Sequence, residues 1–173
     1  MVMQLTERDV LRTDHAVGGW QITAIECRRG LAQVESHHPH LTEIVVADLP
    51  RGRASGRDCF TAVACTDDGD ALVMSRQAPP AVLVTRSGHR PVPGHGEGQE
   101  LVHIGGDQRL LILSAAAFDA LPESLGRTLH GPPSIVLDAD PFTLLHSLFR
   151  EIGAGSGAII GRYPHSPGRQ ERP

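Results

Sequence analysis

The 173-residue chain contains no lysine and no asparagine, so all sixteen of its basic side chains are arginines. Without lysine there is no Schiff-base amine and no phosphate-loop ammonium. Without asparagine there is no Asn-based amide clamp. The double absence also points to GC-rich coding, because both residues use AT-rich codons. Aromatics are almost as scarce, with one Trp, one Tyr and four Phe. A core must therefore be built from Val, Ile, Leu and Ala. The three cysteines, Cys27, Cys59 and Cys65, are odd in number and lack CxxC spacing. They read as reduced thiols of a cytoplasmic protein. A formal net charge of −4 gives little electrostatic support to a nucleic-acid partner. No apolar run approaches the roughly 20 residues of a membrane span, and no signal-peptide pattern is present, so no membrane partner is expected.

What is present is mostly strand. Thr6–Arg12 (TERDVLR) has helical character with Thr6 as N-cap. Trp20–Glu26 is β-branched and partly alternating, and Gly30–Ser36 alternates and could pair with it across an Arg28–Gly30 turn. Thr42–Leu49 reads as a buried strand and Pro50–Asp58 as a polar, glycine-rich loop. Cys59–Thr66 and Asp70–Arg76 flank Asp67-Asp68-Gly69, a hairpin signal because Asp-Gly accepts positive φ. Pro80–Arg86, Glu100–Ile104, Arg109–Ser114 and Gly157–Tyr163 complete the strands, with Ser134–Ala139 as a strand or a lead-in. Ala115–Gly131 reads as two short helices broken at Pro122. Pro141–Gly153 is a helix capped by Asp140 and stopped by glycine. Residues 1–164 form one domain, and 165–173 are expected to be a disordered tail. Eight or nine strands with a few helices predict an α+β β-sandwich of mostly antiparallel strands with outer helices.

Several clusters invite a chemical reading. His37-His38-Pro39-His40 offers imidazoles, but Pro39 interrupts regular geometry and no carboxylate or cysteine cluster matches it. His89, His95, His103 and Glu97 surround a glycine-rich loop tip. Asp67, Asp68 and Asp70 lack the glycine and terminal glutamate of a calcium loop. A solvated loop or hairpin accounts for each.

The order of hairpin, Pro79-Pro80 strand, glycine loop, Gly106-Asp107 turn, Leu110–Leu113 strand, helices and final strand resembles the C-terminal half of SpoIIE-like phosphatases. These are bacterial PPM-type, metal-dependent serine/threonine phosphatases. The resemblance runs from about Phe60 to Tyr163. It implies a PPM-like sandwich and a site where two divalent metals, Mn or Mg, activate a water. That site requires four aspartates. The first should follow a Gly-Gly pair, but after Gly18-Gly19 stands Trp20. The second is matched by Asp48, after Ile44–Ala47. The third falls in a Thr-Asp-Gly turn that here reads Ser114-Ala115-Ala116. The fourth falls where Gly155-Ser156-Gly157 stands.

Asp48 is thus the one family-like metal carboxylate, and Trp20, Ala115 and Ser156 mark lost positions. The resemblance implies a pseudophosphatase with no catalytic residues and no cofactor, acting on a protein partner in partner-switching signalling or development. A minimal phosphatase with a displaced Mn or Mg site is the enzymatic alternative, and a homodimeric scaffold subunit the structural one. The family also inserts two long helices where only Leu49–Cys59 is available. One helical layer is therefore expected to be reduced, leaving a sheet face for a partner or a second copy.

Overall fold

The computed structural model describes residues 11–38, 40–48, 59–120, 127 and 130–163. Eleven strands are described. They are β1 (Leu11–Val17), β2 (Trp20–Glu26), β3 (Gly30–His38), β4 (Leu41–Asp48), β5 (Phe60–Thr66), β6 (Asp70–Arg76), β7 (Ala81–Thr85), β8 (Gly88–Val92), β9 (Gly98–His103), β10 (Arg109–Leu113) and β11 (Ser156–Arg162). Three helices are described, α1 (Ala115–Ala120), α2 (Ser134–Leu137) and α3 (Pro141–Ile152). The strands form a six-stranded sheet in the order β1-β2-β11-β10-β7-β8 and a five-stranded sheet in the order β3-β4-β5-β6-β9. Every named strand pair is antiparallel. This is the expected α+β sandwich.

Period-two alternation builds the core. Trp20, Ile22 and Ala24 of β2, Ile44 and Val46 of β4, Leu110 and Ile112 of β10, and Ala158 and Ile160 of β11 all point between the sheets and are buried. The opposite face of the six-stranded sheet carries Ile25, Leu111 and Ile159, and α3 closes over them with Leu145, Leu148 and Phe149. Helix α3 has the expected ends. The Asp140 side chain accepts from Thr143 N, Pro141 opens the first turn, and Gly153 ends it with φ 71°. No helix among the described residues is long and apolar enough to cross a membrane.

Three expectations need correction, and one strand was not anticipated. Trp20–Glu26 and Gly30–Ser36 do not pair. The chain passes from one sheet to the other at Cys27–Arg29, β2 pairing with β1 and β11 while β3 pairs with β4. Alternation fixes which face a strand buries but not which neighbour it takes. The physical cause of the crossing is a close approach: a Cβ on Gly30 would overlap the Gly155 carbonyl, so two backbones from opposite sheets meet there. Arg29 takes φ 65° and bridges Gly155 to make this possible. Second, Leu11 and Arg12 belong to strand β1; the rest of the Thr6–Arg12 helix assignment lies outside the described residues. Third, Ser134–Leu137 is a helical turn, with Leu137 N bonded to Pro133 O at 2.9 Å. The strand not anticipated is Gly88–Val92. Its Pro91 cannot donate to a ladder, which suits its place at the sheet edge. The Pro50–Asp58 loop, the second half of Ala115–Gly131 apart from 127, 130 and 131, and the 165–173 tail lie outside the described residues.

The glycine contact makes a stability test. Gly30→Ala is expected to cost more than about 3 kcal/mol in denaturant unfolding, because backbone rather than a flexible side chain must yield. Gly106→Ala, where an added methyl meets nothing within 4 Å, is expected to stay within about 0.5 kcal/mol of the parent.

Candidate functional site

The inward-facing rows of the core end in polar residues at one end of the sandwich. Continuing the alternation, β2 ends at Glu26, β4 at Asp48, β10 leads into Ser114, and β11 begins at Ser156. This corner brings together Asp48, Ala115 and Ser156, three of the four residues singled out from sequence. Asp48 Oδ2 accepts from Ala116 N at 2.8 Å. Its Oδ1 is buried without a hydrogen-bond partner. Ser114 Oγ accepts from Ser156 N at 3.1 Å and, more loosely, from Ala117 N at 3.4 Å. Ser114 N in turn donates to Ser156 O at 2.9 Å. Ser156 Oγ lies 2.8 Å from both Leu31 O and Ala47 O, so its one proton is shared between β3 and β4.

These bonds have a local logic. Helix α1 begins at Ala115, and its first N–H groups have no partner inside the helix. Asp48 supplies an acceptor to Ala116 N and Ser114 supplies one to Ala117 N. The carboxylate therefore caps the start of α1 from a neighbouring sheet. Ser156 ties the six-stranded sheet to two strands of the other. Both residues hold the corner shut.

The fourth residue is elsewhere. Trp20 opens β2, and the β2–β11 register pairs it with Arg162, whereas Ser156 pairs with Glu26. Six residues of extended chain, about 20 Å, separate Trp20 from the Asp48 corner. Trp20 Nε1 donates to Thr66 O at 2.8 Å, and the Arg162 guanidinium lies 4.7 Å from its ring centroid. The Gly18-Gly19 pair serves the β1–β2 turn, with φ 58° and 78°. Gly18 also presses on the Asp67 carboxylate, where a Cβ would collide. At this end burial pushes the Cys65 thiol up to about 12, with Arg162 pulling weakly the other way.

Sequence reasoning passed over Glu26. It is the carboxylate that the geometry places at the Asp48 corner, and its Oε1 accepts from Ala32 N at 2.7 Å. The signal was the period-two row Trp20, Ile22, Ala24, which continues to residue 26. The histidine clusters make dispersed surface pairs. His37 Nε2 lies 2.9 Å from Glu43, His40 Nδ1 2.7 Å from Asp67 and His103 Nδ1 2.9 Å from Asp70. Glu97 accepts from Gln77 N, and His89 packs edge-on against His130.

A metal centre can be tested against these residues. Two hard cations need several oxygen ligands, mostly unengaged carboxylates. Among the described residues the corner has two carboxylates, Glu26 and Asp48, and each already spends an oxygen on a backbone N–H. Ala115 and Ala116 offer no ligand side chain, and the Ser156 hydroxyl points its proton at carbonyls. Among the described residues Asp48 Oδ1 is the one buried side-chain oxygen without a hydrogen-bond partner. Among the described residues no group of three or more His, Cys, Asp or Glu could hold a metal ion. The described residues do not fit a two-metal centre. Beside the corner opens a shallow depression of about 450 Å³, lined by Pro79, Pro80, Ala115, Phe118 and Asp119 among others.

No protein-family model matches the chain, and no curated protein matches it in sequence. Solved structures do match in fold. The RsbU and RsbW domains of a Mycobacterium tuberculosis protein align with TM-score 0.61 and 14% identity, over 86% of this chain and 63% of that one. The chain thus spans less than two thirds of that structure. RsbX in complex with magnesium aligns with TM-score 0.56 and 10% identity, over 88% of this chain and 99% of that one. The phosphatase domain of the cell fate determinant SpoIIE from Bacillus subtilis aligns with TM-score 0.55 and 10% identity, over 92% and 100%. The chain has a PPM-type phosphatase-like fold.

Asp48→Ala is expected to destabilise the protein by about 1–2 kcal/mol through loss of the acceptor at Ala116 N. The loss should be the same with and without added manganese, as read by urea unfolding. A Ser114→Ala, Asp48→Ala double variant should lose less than the sum of the two singles, because both cap the same helix start.

Proposed function

We propose that this chain is a catalytically inactive, phosphatase-folded protein that works in the bacterial cytoplasm by binding a protein partner in signalling or development. One observation carries the reading. Asp48, the carboxylate placed where a metal ligand would be wanted, is committed to the Ala116 N–H, and the turn it bonds contains no acid. The scaffold that brings strand ends together in a phosphatase is kept here. Its corner is filled with helix-capping and sheet-tying hydrogen bonds in place of unengaged carboxylates. With no assembled pair of cations there is no means of activating a water toward a phosphate. The fold then offers surface, and the depression floored by Pro79, Pro80 and Phe118 is a surface for a protein segment.

The test is direct. Hydrolysis of a generic aryl phosphate and of a phosphoserine peptide is expected to stay at the buffer rate across millimolar manganese or magnesium. Thermal unfolding is expected to be unmoved by either ion, since a cation held only by the native state would raise the midpoint. Turnover above the buffer rate that disappears in Asp48→Ala would overturn the proposal and favour a minimal phosphatase.

A further inference from the structure

The outer face of the five-stranded sheet carries large apolar side chains in the open: Leu72, Met74 and Leu101. The hydrophobic clusters among the described residues lie between the sheets or under the helices of the six-stranded sheet, and none lies on this face. Its side chains can be read from the ladder. One row runs Val45, Ala62, Met74 and the next runs Ala64, Leu72, Leu101. Leu72 and Met74 are each 37% exposed and Leu101 is 65% exposed. Period-two alternation on β6 shows that these are not stray apolar residues. The burial pattern iBeBeBe puts Ala71, Val73 and Ser75 inside and leaves Leu72 and Met74 on the outer row, where a solvated sheet would place polar side chains.

The charges around this apolar surface are unevenly placed. Glu35 and Glu43 face each other directly across β3 and β4, a like-charge pairing that costs energy on an isolated sheet. His37 Nε2 lies beside both, at 3.5 Å from Glu35 and 2.9 Å from Glu43. Diagonally across the face, past Ala62 and Met74, stands Arg76, which pairs with Phe60 on the ladder. The described part of the face therefore has Glu35 and Glu43 at one corner, an apolar middle bordered by the Asp70–His103 pair, and Arg76 at the opposite corner.

We propose that this face is a homodimer interface in which two copies pack sheet to sheet with their strands crossing near right angles. A two-fold axis lying in the interface along the apolar diagonal sets Glu35 of each copy over Arg76 of the other. The same operation lays the Val45–Leu72 stripe against itself. Orthogonal packing is one of the two standard ways for sheets to stack, and a two-fold interface must be self-complementary in this manner. The arrangement holds whether or not the chain retains catalysis. Five strands of this length offer a footprint of roughly 20 Å by 25 Å, on the order of 500 Å² per copy. Both copies together reach only about 1,000 Å², the lower bound for a specific interface. The dimer is accordingly concentration-dependent, with a dissociation constant in the micromolar range.

Sedimentation equilibrium of the full chain, from about 1 to 100 μM, tests this. Dimer is expected to form across that range. Leu101→Glu and Leu72→Glu are each expected to weaken it at least tenfold, with near-UV circular dichroism unchanged. Glu35→Arg alone and Arg76→Glu alone should also weaken it. The double variant Glu35→Arg, Arg76→Glu should restore it, since both cross-axis pairs are then reversed together. These two exposed positions leave the core intact if a Leu→Glu variant fails to fold. A strictly monomeric chain, as when its own residues or a different protein fill the face, overturns the proposal. So does a dimer indifferent to both leucine changes, or a double charge reversal that does not recover association.

Discussion

The meeting of Gly30 and Gly155 sets the rest of the architecture. Two backbones from different sheets touch at a point where neither residue can carry a side chain: at Gly30 it would strike the Gly155 carbonyl, at Gly155 the Ser114 hydroxyl. Gly155 also needs φ 86°, which glycine alone takes at no steric cost. From that contact Cys27 N reaches Gly155 O and Gly155 N reaches Arg28 O. The chain leaving β2 is thereby directed away from its own sheet and into β3. Ser156, next in sequence, then lies within reach of Leu31 and Ala47. The sheet crossing, the register of β11 and the hydrogen bonds of the Asp48 corner all follow from one close approach.

Much of this was legible in the sequence, and the reason is periodicity. Rows such as Trp20–Ile22–Ala24 and Ala158–Ile160 announce strands with one buried side, and Asp67-Asp68-Gly69 announces the turn between β5 and β6. Asp140, Pro141 and Gly153 mark both ends of α3. What failed was long-range pairing. Nothing in Trp20–Glu26 or Gly30–Ser36 says that they belong to different sheets, because the deciding contact is with Gly155, more than a hundred residues away. Local composition also misled at Ser134–Ala139, where β-branched residues sit in a single turn of helix. That turn is held by the Arg109 guanidinium, which donates to Val136 O and Ala139 O at 2.6 and 2.7 Å.

The site was legible in part and for a related reason. Asp48, Ala115 and Ser156 were each picked by resemblance, and the fold brings them to one corner. Trp20 was picked through Gly18-Gly19, a pair whose presence is explained by a turn packed against Asp67 and Arg162. A glycine pair is an ambiguous marker, since any tight turn with positive φ asks for it. Glu26 was missed because no motif contains it, although strand alternation delivers it to the Asp48 corner.

The corner also shows how backbone N–H groups can engage the carboxylates at the end of this core. A cluster of unpaired carboxylates at the end of a core is repulsive unless a metal neutralises it. Among the described residues the acids here number two, and each accepts a backbone N–H. Ser114 and Ser156 exchange hydrogen bonds across the sheet junction, adding polar satisfaction with no charge. Gly155 is packed so tightly on Ser114 and Ala117 that an acid at that position would displace the start of α1. The corner is therefore more than a set of substituted positions. Its replacement bonds hold α1, β4 and β11 together, and any chemistry returned to it would have to break them first.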